Sequence, residues 1–147
     1  MDKPRFVYVM YISTSPEKLW NALIDAGMTT QYWQHENVSD WKPGSRWEHR
    51  RSDENRTLDL VGKVMESSPP QRLVITWAFP ADEEHEEKHS RVTFEIEPIR
   101  GVTRLTVTHD GLEPGSEMHR GITEGWPKVL SSLKSLLEVG KPLPKLW

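Results

Sequence analysis

The segment His85-Glu86-Glu87-Lys88-His89 carries two histidines four residues apart with glutamate between them, as in zinc metalloproteases. That chemistry needs an α-helix, which brings both imidazoles to one side, and an apolar back face that packs into the protein. Every residue from Asp82 to Arg91 is polar, and strand-like segments lie on both sides. We therefore interpret this segment as a solvated loop and predict no metal site and no cofactor.

Two other histidines alternate with apolar residues and so point toward the interior. His109 shares its parity with Leu105 and Val107, and His49 shares its parity with Trp47. Each fits two interpretations: a core histidine whose ring nitrogens are hydrogen-bonded, or a polar group that orients a ligand in a cavity. Asp110 has the opposite parity to His109, so we expect it to face outward.

The sequence lacks the residues that several other kinds of chemistry would need. The chain has no cysteine, which excludes disulfides, thiol catalysis and cysteine-ligated zinc. It contains no serine nucleophile elbow, phosphate-binding loop or dinucleotide fingerprint, so we predict no catalytic residue. A net charge of −3 and a pI near 6.1 argue against nucleic acid as a partner. No apolar run approaches the roughly 20 residues of a membrane span, and no signal peptide is recognised, so we expect a cytoplasmic location.

The N-terminal third reads as one strand followed by two short helices. Phe6 to Ile12 is rich in β-branched and aromatic residues, which predicts a strand. Ser15 and Pro16 are typical of a helix start, and we expect this helix to end at Gly27. Thr29 or Thr30 is the expected cap of a second short helical turn that contains Trp33.

The central part alternates between apolar and polar residues, as antiparallel strands with one buried face do. The alternating segments begin with a brief strand within 37–41 and continue at 46–50, 58–64, 73–77, 92–96 and 105–109. Polar or proline-rich turns connect them, including a loop at 51–56 and a long acidic loop at 79–89. Strands joined by short loops pair antiparallel, which predicts one sheet.

The last segment predicts one long amphipathic helix. Its apolar residues recur at spacings of three and four, and they are Trp126, Val129, Leu130, Leu133, Leu136 and Leu137. Gly140 and Pro142 end the helix. Pro127 disfavours helical geometry at Trp126, and we expect a kink there that opens a gap between helix and sheet. Seven tryptophans are more than a small core needs, so we expect some to line that gap.

The order of several short motifs resembles a known family. They are Thr14-Ser15-Pro16-Glu17-Lys18-Leu19-Trp20-Asn21-Ala22-Leu23, Tyr32-Trp33, Trp41-Lys42-Pro43-Gly44-Ser45, Pro69-Pro70-Gln71-Arg72-Leu73 and Gly125-Trp126. In this order they resemble the bacterial relatives of the C-terminal domain of the heat-shock-protein ATPase activator, a branch of the START-like (SRPBCC) superfamily. The resemblance implies a single α+β domain over residues 1–147 with the helix-grip (Bet v-like) fold. In that fold a curved antiparallel sheet wraps around a long C-terminal helix.

The resemblance also implies a cavity between sheet and helix that takes a small apolar molecule such as a lipid, a sterol or a polyketide-like compound. The inward-facing candidates for its wall are Trp33, Trp47, His49, Trp77, His109 and Trp126. The activator's name is not carried over, because that protein has two domains and this sequence leaves room for one.

Two alternatives to ligand binding remain open. Some helix-grip proteins are cyclases, dehydratases or hydrolases, and His49 and His109 are the groups that such an enzyme would use here. The other alternative is a protein-interaction module of the chaperone-cofactor kind with an unknown partner, for which the acidic loop at 83–87 is the expected surface. The sequence indicates no exposed apolar patch that would favour it.

Overall fold

The computed structural model describes residues 3–147 and contains seven strands and three α-helices over that range. The strands are β1 (Phe6–Ile12), β2 (His35–Val38), β3 (Arg46–Arg51), β4 (Leu58–Ser68), β5 (Arg72–Trp77), β6 (Ser90–Ile99) and β7 (Val102–Asp110). The helices are α1 (Pro16–Ile24), α2 (Ala26–Trp33) and α3 (Glu117–Val139). None of the helices in this range is both long and apolar enough to cross a membrane.

The strands form one antiparallel sheet in the order β1-β7-β6-β5-β4-β3-β2. The sheet curls into a half-barrel, and register shifts in β3 and β4 interrupt its regular pairing. The long helix α3 packs along the inner side with α1 and α2, and buries Trp126, Leu130 and Leu133 in the main core. The helix-grip architecture predicted from the sequence is confirmed.

Local chemistry defines the ends of α3. The Ser116 hydroxyl accepts a hydrogen bond from the His119 backbone N–H at 3.1 Å and so caps the first turn. Gly140 ends the helix in the left-handed conformation, with φ of 79° and its N–H donating to the Leu136 carbonyl. Trp126 is helical and α3 is continuous through Pro127, so the expectation that Trp126 departs from helical geometry was wrong.

The two short helices have different boundaries from those expected. α1 ends at Ile24 rather than at Gly27, and Asp25 serves as the C-cap of α1 and the N-cap of α2. Its carboxylate accepts from the Met28 backbone N–H at 3.0 Å. Asp25 is therefore the N-cap of α2, and the expectation that Thr29 or Thr30 caps this helix was wrong. A carboxylate at this position can accept hydrogen bonds from the free N–H groups of the first turn.

Candidate functional site

A cavity of about 440 Å³ lies between the N-terminal half of α3 and the part of the sheet formed by β3, β4 and β5. The lining residues from β3 and β4 are His49, Arg51, Leu58, Asp59 and Leu60. Those from α3 are Glu117, Met118, Gly121, Ile122, Gly125, Trp126 and Val129. The wall is completed by Trp33, His35, Trp77 and Phe79. This volume lies within the usual range of small-molecule sites.

Two glycines on α3 leave the cavity open on the helix side. Gly121 and Gly125 are one helical turn apart, and a Cβ added at either would meet no atom within 4 Å. Glycine in a helix interior costs about 1 kcal/mol relative to alanine. Both glycines line the same cavity, so this loss of helix stability occurs twice at one site.

Three tryptophans from three elements form the apolar wall. The ring centroids of Trp33 and Trp77 are 6.2 Å apart, those of Trp33 and Trp126 are 5.4 Å apart, and those of Trp77 and Trp126 are 5.5 Å apart. The His49 ring packs edge-on against Trp33 at 4.7 Å. All four rings are largely buried, so the wall offers indole faces and edges with little freedom to move.

A chain of hydrogen bonds through His109 holds two of these tryptophans. The Trp126 indole N–H donates to His109 Nδ1 at 3.0 Å, which leaves the proton of His109 on Nε2. His109 Nε2 donates to the Ser90 hydroxyl at 2.8 Å, and that hydroxyl donates to the Trp77 carbonyl at 3.2 Å. Burial lowers the pKa of His109 to about 3. His109 is therefore neutral, fully bonded and behind the wall.

His49 lies on the cavity side of the same ring cluster. Its Nδ1 donates to the side-chain oxygen of Asn37 at 2.5 Å. Burial, together with the positive charge of His35, holds the pKa of His49 well below its ordinary value. His35 stacks on His49 with centroids 4.0 Å apart.

An ionic group borders the cavity beside His49. His35 Nε2 lies 2.8 Å from an Asp59 carboxylate oxygen, and His35 Nδ1 lies 3.1 Å from the Trp33 carbonyl. Both ring nitrogens of His35 therefore face acceptor oxygens. Arg51 Nε donates to both oxygens of Asp59 at 3.1 and 2.9 Å. Burial alone would raise the pKa of Asp59, but the hydrogen bonds from Arg51 and His35 outweigh it and leave that pKa below its ordinary value.

Comparison with known proteins assigns the chain to a family. A family model described as "Activator of Hsp90 ATPase homolog 1-like protein" matches residues 13–138. The chain belongs to this family. The finding confirms the START-like resemblance seen in the sequence motifs. A search of curated proteins found no match.

Solved structures of similar proteins share the activator-homologue fold. Protein MLL2253 from Mesorhizobium loti is 26% identical, with a TM-score of 0.75, over 91% of this chain and 96% of that one. The Aha1 dimer from Colwellia psychrerythraea is 22% identical, with a TM-score of 0.77, over 94% and 98%. The Hsp90 activator PFC0360w from Plasmodium falciparum is 23% identical, with a TM-score of 0.73, over 90% and 95%. At 22% and 23% identity, the last two likenesses show a shared fold alone.

Within this activator-homologue fold, four of the six residues proposed from the sequence line the cavity. They are Trp33, His49, Trp77 and Trp126. His109 and Trp47 lie behind the wall and are not exposed. The Trp47 indole N–H donates to the Thr76 carbonyl at 2.7 Å, across Gly62, which has no side chain to block it.

Sequence reasoning missed other cavity residues. Arg51 was assigned to a loop, and Asp59 and His35 were not among the candidates, although the register brings Arg51 opposite His35. Gly121 and Gly125 were not read as cavity residues either. Their signal was present in the sequence, because two glycines one turn apart in an amphipathic helix are unusual unless something must approach the backbone.

The metalloprotease-like segment at 85–89 contains a short 3₁₀ turn, Glu86–Lys88, and no α-helix, and a second such turn, Pro80–Asp82, precedes it in the same loop. His89 pins this loop, with Nε2 3.1 Å from the Asp82 and Glu83 carbonyls and Nδ1 3.1 Å from the Thr76 hydroxyl. Within residues 3–147, no three histidine, aspartate or glutamate side chains gather closely enough to hold a metal ion.

The expectation of no exposed apolar patch was wrong. β1 lies at one edge of the sheet, and its outward side chains Val7, Val9 and Tyr11 are about half exposed, at 48%, 49% and 50%. This stripe lies within a strand that is apolar on both faces, where alternation gives no warning.

Proposed function

We propose that the chain binds a small, largely apolar molecule in the cavity between α3 and the sheet. The observation that carries the proposal is the cavity itself, at about 440 Å³, with one side formed by the bare backbone of Gly121 and Gly125. A core that served stability alone would gain from side chains at both positions. Three indole rings and a few converging polar groups are the usual composition of a ligand site.

The histidines support binding over catalysis. A general base at neutral pH works best with a pKa near 7. Burial lowers the pKa of His49 well below its ordinary value and that of His109 to about 3, so both are weak bases. His109 is also fully hydrogen-bonded within the protein and does not reach the cavity.

The test is a thermal-shift screen with fatty acids, sterols and aromatic alcohols. A true ligand at 100 times its Kd adds about 2.7 kcal/mol to the free energy of unfolding. Gly125→Leu places a side chain in the empty space, and we expect it to fold and lose the ligand-induced shift. Glu124→Leu adds the same side chain to an exposed neighbouring position outside the cavity and should keep the shift. A screen without any stabilising compound contradicts the proposal, as does a shift retained by Gly125→Leu.

A second candidate is association with a protein partner through the half-exposed stripe Val7, Val9 and Tyr11 on β1. The family's description names activation of the Hsp90 ATPase, so a bacterial Hsp90 is the partner to test. If this role applies, the chain raises the ATPase rate and Val9→Lys abolishes the increase, while Lys63→Ala on β4 does not. No effect of the wild-type chain on the rate removes this candidate and leaves ligand binding in place.

A further inference from the structure

The polar groups that the sheet contributes to the cavity lie together, and most of them are already bonded to each other, while Glu117 on α3 is the other charged residue of the lining. His35 has acceptors at both ring nitrogens, and both Asp59 oxygens accept from Arg51 or His35. These groups set the local charge, but few of their hydrogen-bonding atoms are free to bind a ligand. His49 differs because one of its ring nitrogens has no partner in the part of the chain that the structure describes.

The hydrogen-bonding state of His49 follows from its partner. The Asn37 side-chain oxygen only accepts, so the proton of His49 is on Nδ1 and Nε2 carries a lone pair. Nε2 has no hydrogen-bond partner among residues 3–147. In that same range no buried side-chain nitrogen or oxygen lacks a partner, so Nε2 is reached by solvent. Since His49 lines the cavity, the cavity is where a partner can reach it.

The surroundings decide which donor suits this nitrogen. His35 is stacked at 4.0 Å and Arg51 lies on the same side of the cavity, so a cationic donor such as an ammonium would be repelled. A neutral hydroxyl donates without that repulsion. It also keeps its proton, because burial and the neighbouring charge make His49 a weak base.

The rest of the wall favours a flat body for the same molecule. Trp33, Trp77 and Trp126 present their rings within 5.4–6.2 Å of each other, next to His49. Aromatic rings pack well against such surfaces in stacked or edge-on arrangements. On the helix side, the bare backbone at Gly121 and Gly125 leaves room for the edge of a ring system.

We propose that the ligand is an aromatic alcohol whose hydroxyl donates to His49 Nε2 while its rings pack against Trp33, Trp77 and Trp126. This inference rests on the proposed function and names the ligand class for the same site. His49 thereby selects the hydroxyl, and Asn37 acts as a positioning residue that keeps the lone pair on Nε2.

The experiment compares naphthol with its methyl ether, which keeps the ring system and the oxygen but has no donor. With the wild-type chain, naphthol should bind about tenfold more tightly, as loss of one hydrogen bond to a partly buried acceptor predicts. His49→Phe keeps a ring at this position and removes the acceptor, so the two compounds should bind equally. His85→Phe makes the same change in the exposed loop outside the cavity and should keep the preference for naphthol.

A second measurement does not depend on how the variants fold. In wild-type protein with ¹⁵N-labelled histidine, naphthol should shift the His49 Nε2 resonance, and the methyl ether should not. Equal binding of both compounds, or no response at Nε2, overturns the ligand class. If neither compound binds but other apolar molecules do, the ligand class also falls and the proposed function stands. If the whole screen is negative, the proposed function fails first.

Discussion

Gly62 shows how one residue positions another in this fold. A Cβ at Gly62 would lie 1.9 Å from the Thr76 carbonyl oxygen and 2.5 Å from the Trp47 indole nitrogen. Because Gly62 has no side chain, the Trp47 N–H can reach that carbonyl and donate to it. This contact turns Trp47 into the core behind the cavity wall and away from the cavity.

We expect Gly62→Ala to lower the free energy of unfolding by about 2 kcal/mol or more, because the new methyl group collides with backbone that cannot move easily. Gly121→Ala is the matched control. It meets no atom within 4 Å and lies inside a helix, so it should raise stability by up to about 1 kcal/mol. Urea denaturation of both variants measures the difference. Similar effects of the two changes would show that the space at Gly62 is not needed.

For single residues, the sequence predicts which face of a strand a side chain lies on better than it predicts the hydrogen-bond partners of that side chain. Alternation placed His49 and His109 correctly in the interior, because parity along a strand determines the face. It left open whether each was bonded within the protein. Trp126 and Ser90 bond His109 from 17 and 19 residues away, across elements whose relative positions no local pattern specifies.

Among the elements, α3 contributes more residues to the cavity lining than any other, and its first turn forms the mouth. Glu117, Met118 and Gly121 all line the cavity, and the Ser116 cap lies directly before them. The apolar face from Trp126 onward and the C-terminal end of α3 were predicted well, because an amphipathic pattern and a final glycine are local signals. The short helices were predicted less well, since Asp25 and Gly27 are both plausible ends and only the fold selects Asp25.

Ser116→Ala should cost about 1 kcal/mol of stability, because the His119 backbone N–H loses its acceptor. If ligand binds as proposed, affinity should fall as well, because the first turn of α3 frays at the cavity mouth. Ser131→Ala on the same helix is the control. Its hydroxyl only bonds back to the Pro127 carbonyl, a contact that adds little to helix stability. Chemical denaturation and amide hydrogen exchange at 117–121 provide the readout, and equal exchange in the two variants would contradict the prediction.

For the molecule as a whole, the curved sheet and α3 enclose an aromatic cluster in which two histidines are kept neutral. Motif order and strand alternation were enough to predict this architecture, because each strand shows its buried face locally. They could not predict the size of the cavity, which depends on what α3 omits at Gly121 and Gly125 as well as on what it buries.

Neutral buried histidines make global stability depend on pH. His49 and His109 have pKa values below their ordinary value of about 6.5 in the folded chain, so the unfolded chain binds more protons below that pH. The stability that they contribute is complete above about pH 6.5 and is lost as the pH falls toward 3, the folded-state value of His109. Each histidine contributes a slope of up to about 1.4 kcal/mol per pH unit within that window.

His109→Gln tests this assignment, because glutamine retains hydrogen-bonding capacity and removes the titration. Between pH 6 and 5, a range above the ordinary pKa values of carboxylates, its free energy of unfolding should fall less steeply than that of the wild type, by up to about 1.4 kcal/mol per pH unit. His85→Gln, in the exposed loop, controls for loss of an imidazole and should follow the wild type. Denaturant melts at each pH give the slopes. If the slope of His109→Gln equals that of wild type, His109 takes up its proton in the folded state, and the bonded chain from Trp126 to Trp77 cannot be what holds the cavity wall.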